Sequence, residues 1–178
     1  MNKSTAIQCL RTWDKRGKYV FSTHALQKCF AADKPKTFRA GLERLVKDQL
    51  LVRACRGVYV NPHAISSDGY AIEHIAKALR PGEYNYVSLE SILSEYGVIS
   101  QIPMDRLTVM TTGRKGVYKT VFGVIEYTHT KRTIQDILNS MKQVNNRPLR
   151  IASKQAAWRD LKRVGRNTDM VDKAILNE

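Results

Sequence analysis

The chain has 178 residues, 43% of them apolar; at roughly 150 residues per domain it holds one domain or two small ones and excludes a large enzyme. Its thirty Lys and Arg against sixteen Asp and Glu give a net charge of +14, which points to a polyanion as partner and says nothing about fold. The excess falls in two blocks, +9 over residues 1–62 and +6 over 131–178, on either side of a stretch with net −1.

In chain order, Ala6, Cys9, Leu10 and Trp13 recur at helical spacing and Gly17 ends the pattern, which predicts a first helix over Thr5 to Arg16. A short strand from Tyr19 to Phe21 follows. Ser22 or Thr23 then caps a second helix with Ala25, Leu26 and Phe30 on one side. After the turn AADKP, Pro35 opens a third helix, where its missing N–H costs nothing, and Phe38, Leu42, Leu45, Val46 and Gln49 share a narrow arc of it. Leu50 to Pro62 reads as two β-branched runs around Cys55-Arg56-Gly57, with Gly57 supplying the positive φ of a tight hairpin. Helix, strand, helix, turn, helix, hairpin is the order of a winged helix-turn-helix, here within the most basic third of the chain.

Residues 1–62 are therefore expected to form that DNA-binding domain, with Pro62 to Ser67 as a linker. Ile72, Ile75, Ala76 and Leu79 predict a helix that ends at Arg80-Pro81-Gly82, and Ser88 is placed to cap a short one through Tyr96-Gly97. The period then changes to two: Leu107, Val109 and Thr111 alternate, TGRKG turns the chain, and Val117 to Thr130 supplies further strand. Ile134, Ile137, Leu138 and Met141 mark another helix, and Ala157, Trp158, Leu161 and Val164 a last one. The fold class is α+β, with a small α+β C-terminal domain over residues 68–178 carrying basic C-terminal helices.

Opposite its apolar arc, the third helix presents Lys36, Ala40, Glu43, Arg44 and Lys47, flanked by Thr37 and Arg39. Small residues there permit close approach to base edges, and long cations reach guanine O6/N7 or the phosphates. Arg53 and Arg56 lie on the hairpin, where a wing touches the sugar-phosphate backbone or minor groove. A solvated helix face is the competing reading. A second basic face is expected on the last helix, from Arg159, Lys162, Arg163 and Arg166.

Cys9, Cys29 and Cys55 are odd in number and form no CxxC pair, so they are expected to be reduced thiols and the protein cytoplasmic. The N-terminal residues carry charges where a signal peptide needs an apolar run, and no membrane partner is expected. There is no GxSxG, HExxH or phosphate loop, so neither cofactor, metal nor enzyme activity is expected. Asp105, Glu126, His129 and Lys131 leave open a small metal-dependent nuclease, and the basic faces leave open a module that binds RNA or an acidic partner.

The segments TFRAGLERLVKDQLLVRACRGVYVNP and EYNYVSLESILSEYGVISQIP, followed by GVYKTVFGVIEYTHT, resemble the AbiEi family of antitoxins, regulators in bacterial abortive-infection and type IV toxin-antitoxin systems. The likeness covers about residues 5–130. It implies an N-terminal winged helix that binds and represses its own promoter, hence double-stranded operator DNA as partner. It also implies a C-terminal domain linked to antitoxicity and an AbiEii-type nucleotidyltransferase toxin that is opposed without a stable complex. Carried over by position, Lys36, Thr37, Arg39 and Arg44 fall in the recognition helix and Arg53, Arg56 and Tyr59 in the wing. The chain is shorter than many members.

Overall fold

The computed structural model describes residues 2–100 and 105–177; Gln101 to Pro103, which close the second segment of the resemblance, lie outside them. The chain is mixed α+β and divides into two compact units, Met1–Leu79 and Arg80–Glu178.

In the first unit, α1 (Lys3–Asp14) starts where the Asn2 side chain accepts the Ser4 N–H. β1 (Val20–Ser22) runs directly into α2 (Thr23–Cys29), because the Ser22 hydroxyl accepts the Ala25 N–H at 3.1 Å and satisfies one of the free donors of the helix start. α3 (Pro35–Lys47) has Pro35 in its first turn. It ends two residues before Gln49, which takes φ +57° and stands exposed, so Gln49 does not share the helix's buried arc as expected. The hairpin is β2 (Val52–Cys55) and β3 (Val58–Val60), closed by Gly57 at φ +83°.

These strands form an antiparallel sheet in the order β1-β3-β2. One face carries Phe21 into a core shared with Leu10 of α1, Leu26 of α2 and Phe38, Leu42 and Leu45 of α3. Val20 and Val52 both pair with Val60 and mark the opposite row. There α4 (Ala71–Leu79) packs on β1 and β3. The Tyr19 hydroxyl donates to Asp68 at 2.7 Å, the His74 ring meets the Tyr19 ring edge-on at 4.9 Å, and His74 Nε2 lies 2.9 Å from Asp68. Asp14 accepts the N–H groups of Ile65 and Ser66. The stretch expected as a linker is thus tied to the first unit, and the division falls after Leu79 rather than at Pro62 to Ser67.

The second unit contains β4 (Asn85–Val87), α5 (Leu89–Glu95), β5 (Arg106–Thr111), β6 (Gly116–Thr120), β7 (Gly123–His129), α6 (Ile134–Asn139), β8 (Met141–Lys142), β9 (Arg150–Ala152), α7 (Lys154–Val164) and α8 (Lys173–Asn177). Its sheet order is β6-β7-β5-β4-β9-β8, with β5–β7 and β4–β9 parallel and the other pairs antiparallel. α5 packs against both α7 and β5. Two local expectations are corrected here. Met141 starts β8 instead of extending the helix before it. Ser88 occupies the position before α5 without capping it, since its hydroxyl donates to Asp160 at 3.0 Å. No helix among the described residues is long and apolar enough to cross a membrane.

Candidate nucleic-acid interface

The helical period that buries Phe38, Leu42 and Leu45 turns Lys36, Thr37, Ala40, Glu43, Arg44 and Lys47 outward, and all six are exposed. They line one shallow depression along α3. Arg44 and Lys47 occupy the last turn, where the helix dipole favours a cation.

Arg39 points elsewhere. It lines a groove of about 550 Å³ between α3 and the hairpin, together with Arg53, Arg56 and Tyr59. Phe38, Leu42 and Val46 supply an apolar wall, while Thr23 and Gln27 of α2 complete the lining. Pairing of Arg53 with Tyr59 across β2–β3 sets the first guanidinium beside the phenol, and the tight turn at Gly57 carries Arg56. The predicted site residues are therefore brought together in two adjoining sets: Lys36, Thr37, Arg44 and Lys47 on the helix face, and Arg39, Arg53, Arg56 and Tyr59 around the groove. Glu43 belongs to both.

Among the described residues no carboxylate forms an ion pair with any of these six cations; the first unit's ion pairs are Lys3–Asp48 and Asp68–His74. Lys3 chiefly holds the Asp48 carboxyl below its usual value, with smaller contributions from Lys47 and Arg44 of this surface. On the hairpin, burial raises the Cys55 thiol against the opposing pull of Arg53, so it adds no negative charge. The result is a surface of six exposed cations with an aromatic edge, in which Glu43 is the one acidic side chain of the two linings. Helix periodicity makes the cations legible in sequence. Gln27 and Glu43 as groove residues are not, because their place depends on how α2 and the hairpin meet α3.

The second basic face is only partly as expected. Arg159, Lys162 and Arg163 are exposed on α7. Arg159 donates to the Ser140 hydroxyl at 3.0 Å, Arg163 donates to the His129 carbonyl at 3.1 Å, and Lys162 lies over the Trp158 ring. Arg166 leaves that face, because Gly165 at φ +72° ends the helix and redirects the chain. Its guanidinium instead pairs with both Glu90 and Glu126, and Asn167 adds a further hydrogen bond to Glu90.

The arrangement considered for a metal-dependent nuclease does not assemble. Burial pushes the Glu126 carboxyl up, but the Arg166 and Arg106 guanidiniums outweigh it and hold the group below its usual value. Asp105 is exposed, and His129 Nδ1 lies 2.8 Å from the Gly113 carbonyl. No three His, Cys, Asp or Glu side chains among the described residues come together to hold a metal ion. The cysteines are free; burial and the neighbouring Cys29 thiol push Cys9 up to about 11.

Comparison with family models, curated proteins and solved structures finds no match to this chain.

Proposed function

We propose that the first unit is a winged helix-turn-helix, with α2 and α3 as the helix-turn-helix and β2–β3 as the wing, and that it binds double-stranded operator DNA in a sequence-specific way. The observation that carries this reading is the set of six cations on α3 and the hairpin, none of them in an ion pair with a carboxylate among the described residues. In this reading the α3 face, with Thr37 and Ala40 between Lys36 and Arg44, enters the major groove. Arg53 and Arg56 hold the backbone and fix the register. The resemblance of TFRAGLERLVKDQLLVRACRGVYVNP and EYNYVSLESILSEYGVISQIP to AbiEi antitoxins extends the proposal to a cytoplasmic autorepressor of a type IV toxin-antitoxin system. Its functional partner is then an AbiEii-type nucleotidyltransferase toxin, opposed without a stable complex.

The test is a footprint of the purified chain on DNA upstream of its own coding sequence, with a promoter-reporter assay beside it. The expected result is a protected site and repression that require α3. Equal affinity for that DNA and for random duplex overturns sequence-specific binding. Co-expression with the toxin encoded beside it tests the antitoxin half separately, and growth arrest undiminished by the chain overturns that half alone.

A further inference from the structure

Four carboxylates of the second unit are engaged by arginines: Glu90 and Glu126 by Arg166, Glu126 also by Arg106, Glu95 by Arg147 and Asp160 by Arg132. Several of the remaining cations lie near one end of its sheet, where the parallel strands β5 and β7 stop at Thr111 and His129. Two hydrogen bonds draw three chain segments together there. His129 Nδ1 lies 2.8 Å from the carbonyl of Gly113 in the β5–β6 loop, and Arg163 of α7 donates to the His129 carbonyl at 3.1 Å.

Arg114 and Lys115 follow Gly113, Lys131 follows the end of β7, and Lys162 and Arg163 project from α7; all five are exposed, and none forms an ion pair among the described residues. Arg132 beside them spends one nitrogen on Asp160, while its Nε has no partner among the described residues. The nearby acids cancel only part of this charge, with Asp136 and Glu83 as exposed carboxylates at its edge. Asp160 is fully buried, Asp136 is hydrogen-bonded to Thr133, and Glu83 borders the loop with a hydrogen bond to Thr112.

We propose that this end of the second unit is a nucleic-acid-binding surface in its own right, taking a phosphodiester backbone on Arg114, Lys115, Lys131, Lys162 and Arg163 independently of the groove beside α3. A small anion needs cations that converge on one point inside a wall. Here they are spread over a loop, a strand end and a helix, with Arg159 extending the row one turn back along α7. That layout suits a chain of phosphates, whose binding gains from counterion release at each neutralised charge.

The experiment compares the full chain with Arg53→Glu/Arg56→Glu, with Lys115→Glu/Lys131→Glu/Lys162→Glu, and with all five substitutions. The probes are a random-sequence DNA duplex, a single strand of the same length and an RNA hairpin, each titrated over a salt series. The wing variant is expected to keep binding at least one probe, and the probe it keeps identifies the form of the backbone. Adding the three lysine substitutions should weaken that binding tenfold or more and flatten the dependence of log K on log salt by about 2 to 3, at about 0.9 per duplex contact and 0.7 per single-strand contact. Lys→Gln at the same positions, checked for an unchanged melting temperature, gives the flattening without added repulsion and replaces the glutamate set if that set unfolds. Loss of all binding in the wing variant, or binding indifferent to the lysine substitutions, overturns this inference and leaves the groove reading standing. Loss confined to the lysine variant supports it and overturns the groove reading.

Discussion

Residues 1–79 hold fourteen basic and six acidic side chains and residues 80–178 sixteen and ten, so the two units are similarly charged, yet they place that charge differently. In the first, Lys3 and His74 are the groups found in ion pairs among the described residues. The cations of α3 and the hairpin face outward and form no ion pair among the described residues, with Glu43 the acid set among them. In the second, Glu90, Glu126 and Asp160 are buried and each holds an arginine. The charge is partly internal there, and serves to tie α5, β7 and the end of α7 to one another. Net charge alone therefore does not mark a binding face. In the proposed reading the face is marked by which cations the fold leaves outside ion pairs.

The sharpest way to break this contrast is to reverse charge in each unit and read both binding and stability. Arg53→Glu with Arg56→Glu should lower affinity for operator duplex about a hundredfold, about 2.7 kcal/mol, and leave the melting temperature unchanged, since neither side chain is in an ion pair. A filter-binding titration beside a thermal melt checks this. Arg166→Ala should do the opposite. It strands the Glu90 and Glu126 carboxylates, which are only 9% and 11% exposed; breaking a buried pair costs about 3–5 kcal/mol. Because Arg166 is itself about one-third exposed and Arg106 remains on Glu126, the expected loss is about 2 kcal/mol. DNA affinity should not change. A denaturant series in which Arg166→Ala unfolds like the native chain would contradict the internal role assigned to that pair.

The contrast also explains what could be read in advance. Signals that act within a few residues were legible: Ser22 as a cap, Pro35 in a first turn, Gly57 in the hairpin, and the outward face of α3 from its period. Features that depend on distant partners were not. Ser88 has the sequence position of a cap, but its hydroxyl goes to Asp160, 72 residues on. Arg166 continues the basic pattern of α7 in sequence, yet Gly165 turns it toward Glu90, 76 residues back. β4, β8 and β9 are three residues long or fewer, too short for a period of two to register. α4 joins the first unit through Tyr19, Asp68 and His74, a triangle that no local pattern announces.

Within the exposed surface a finer split is expected. Thr37 lies on the α3 face and Arg56 at the hairpin turn, and only the former is positioned to meet base edges in the proposed docking. Thr37→Ala should reduce discrimination between operator and random duplex by about 1 kcal/mol, and Arg56→Ala should weaken both duplexes alike. Competition titrations against random DNA measure the difference directly. Parallel losses on both duplexes for Thr37→Ala would remove α3 from base reading.

The smallest effect expected is on pH, and it can be followed in each unit separately because Trp13 lies in the first and Trp158 in the second. The folded Glu126 carboxyl sits below its ordinary value of 4.5, so the unfolded chain binds more protons there and stability rises with pH across that window. Its contribution is full above about 4.5 and is lost as the pH falls through the lower folded value. The Asp14 and Asp48 carboxyls of the first unit are likewise held low, by Ser66 with the Ile65 N–H and by Lys3 respectively, so both units should weaken in acid. Removing Arg166 takes away part of what lowers Glu126 and should flatten the acid slope in the second unit alone. Melts of Trp13→Phe and Trp158→Phe chains, each with and without Arg166→Ala, at several pH values between about 3 and 7 would show it. An equal change of slope at both tryptophans would mean that the ion pair acts on the whole molecule rather than on the unit that contains it.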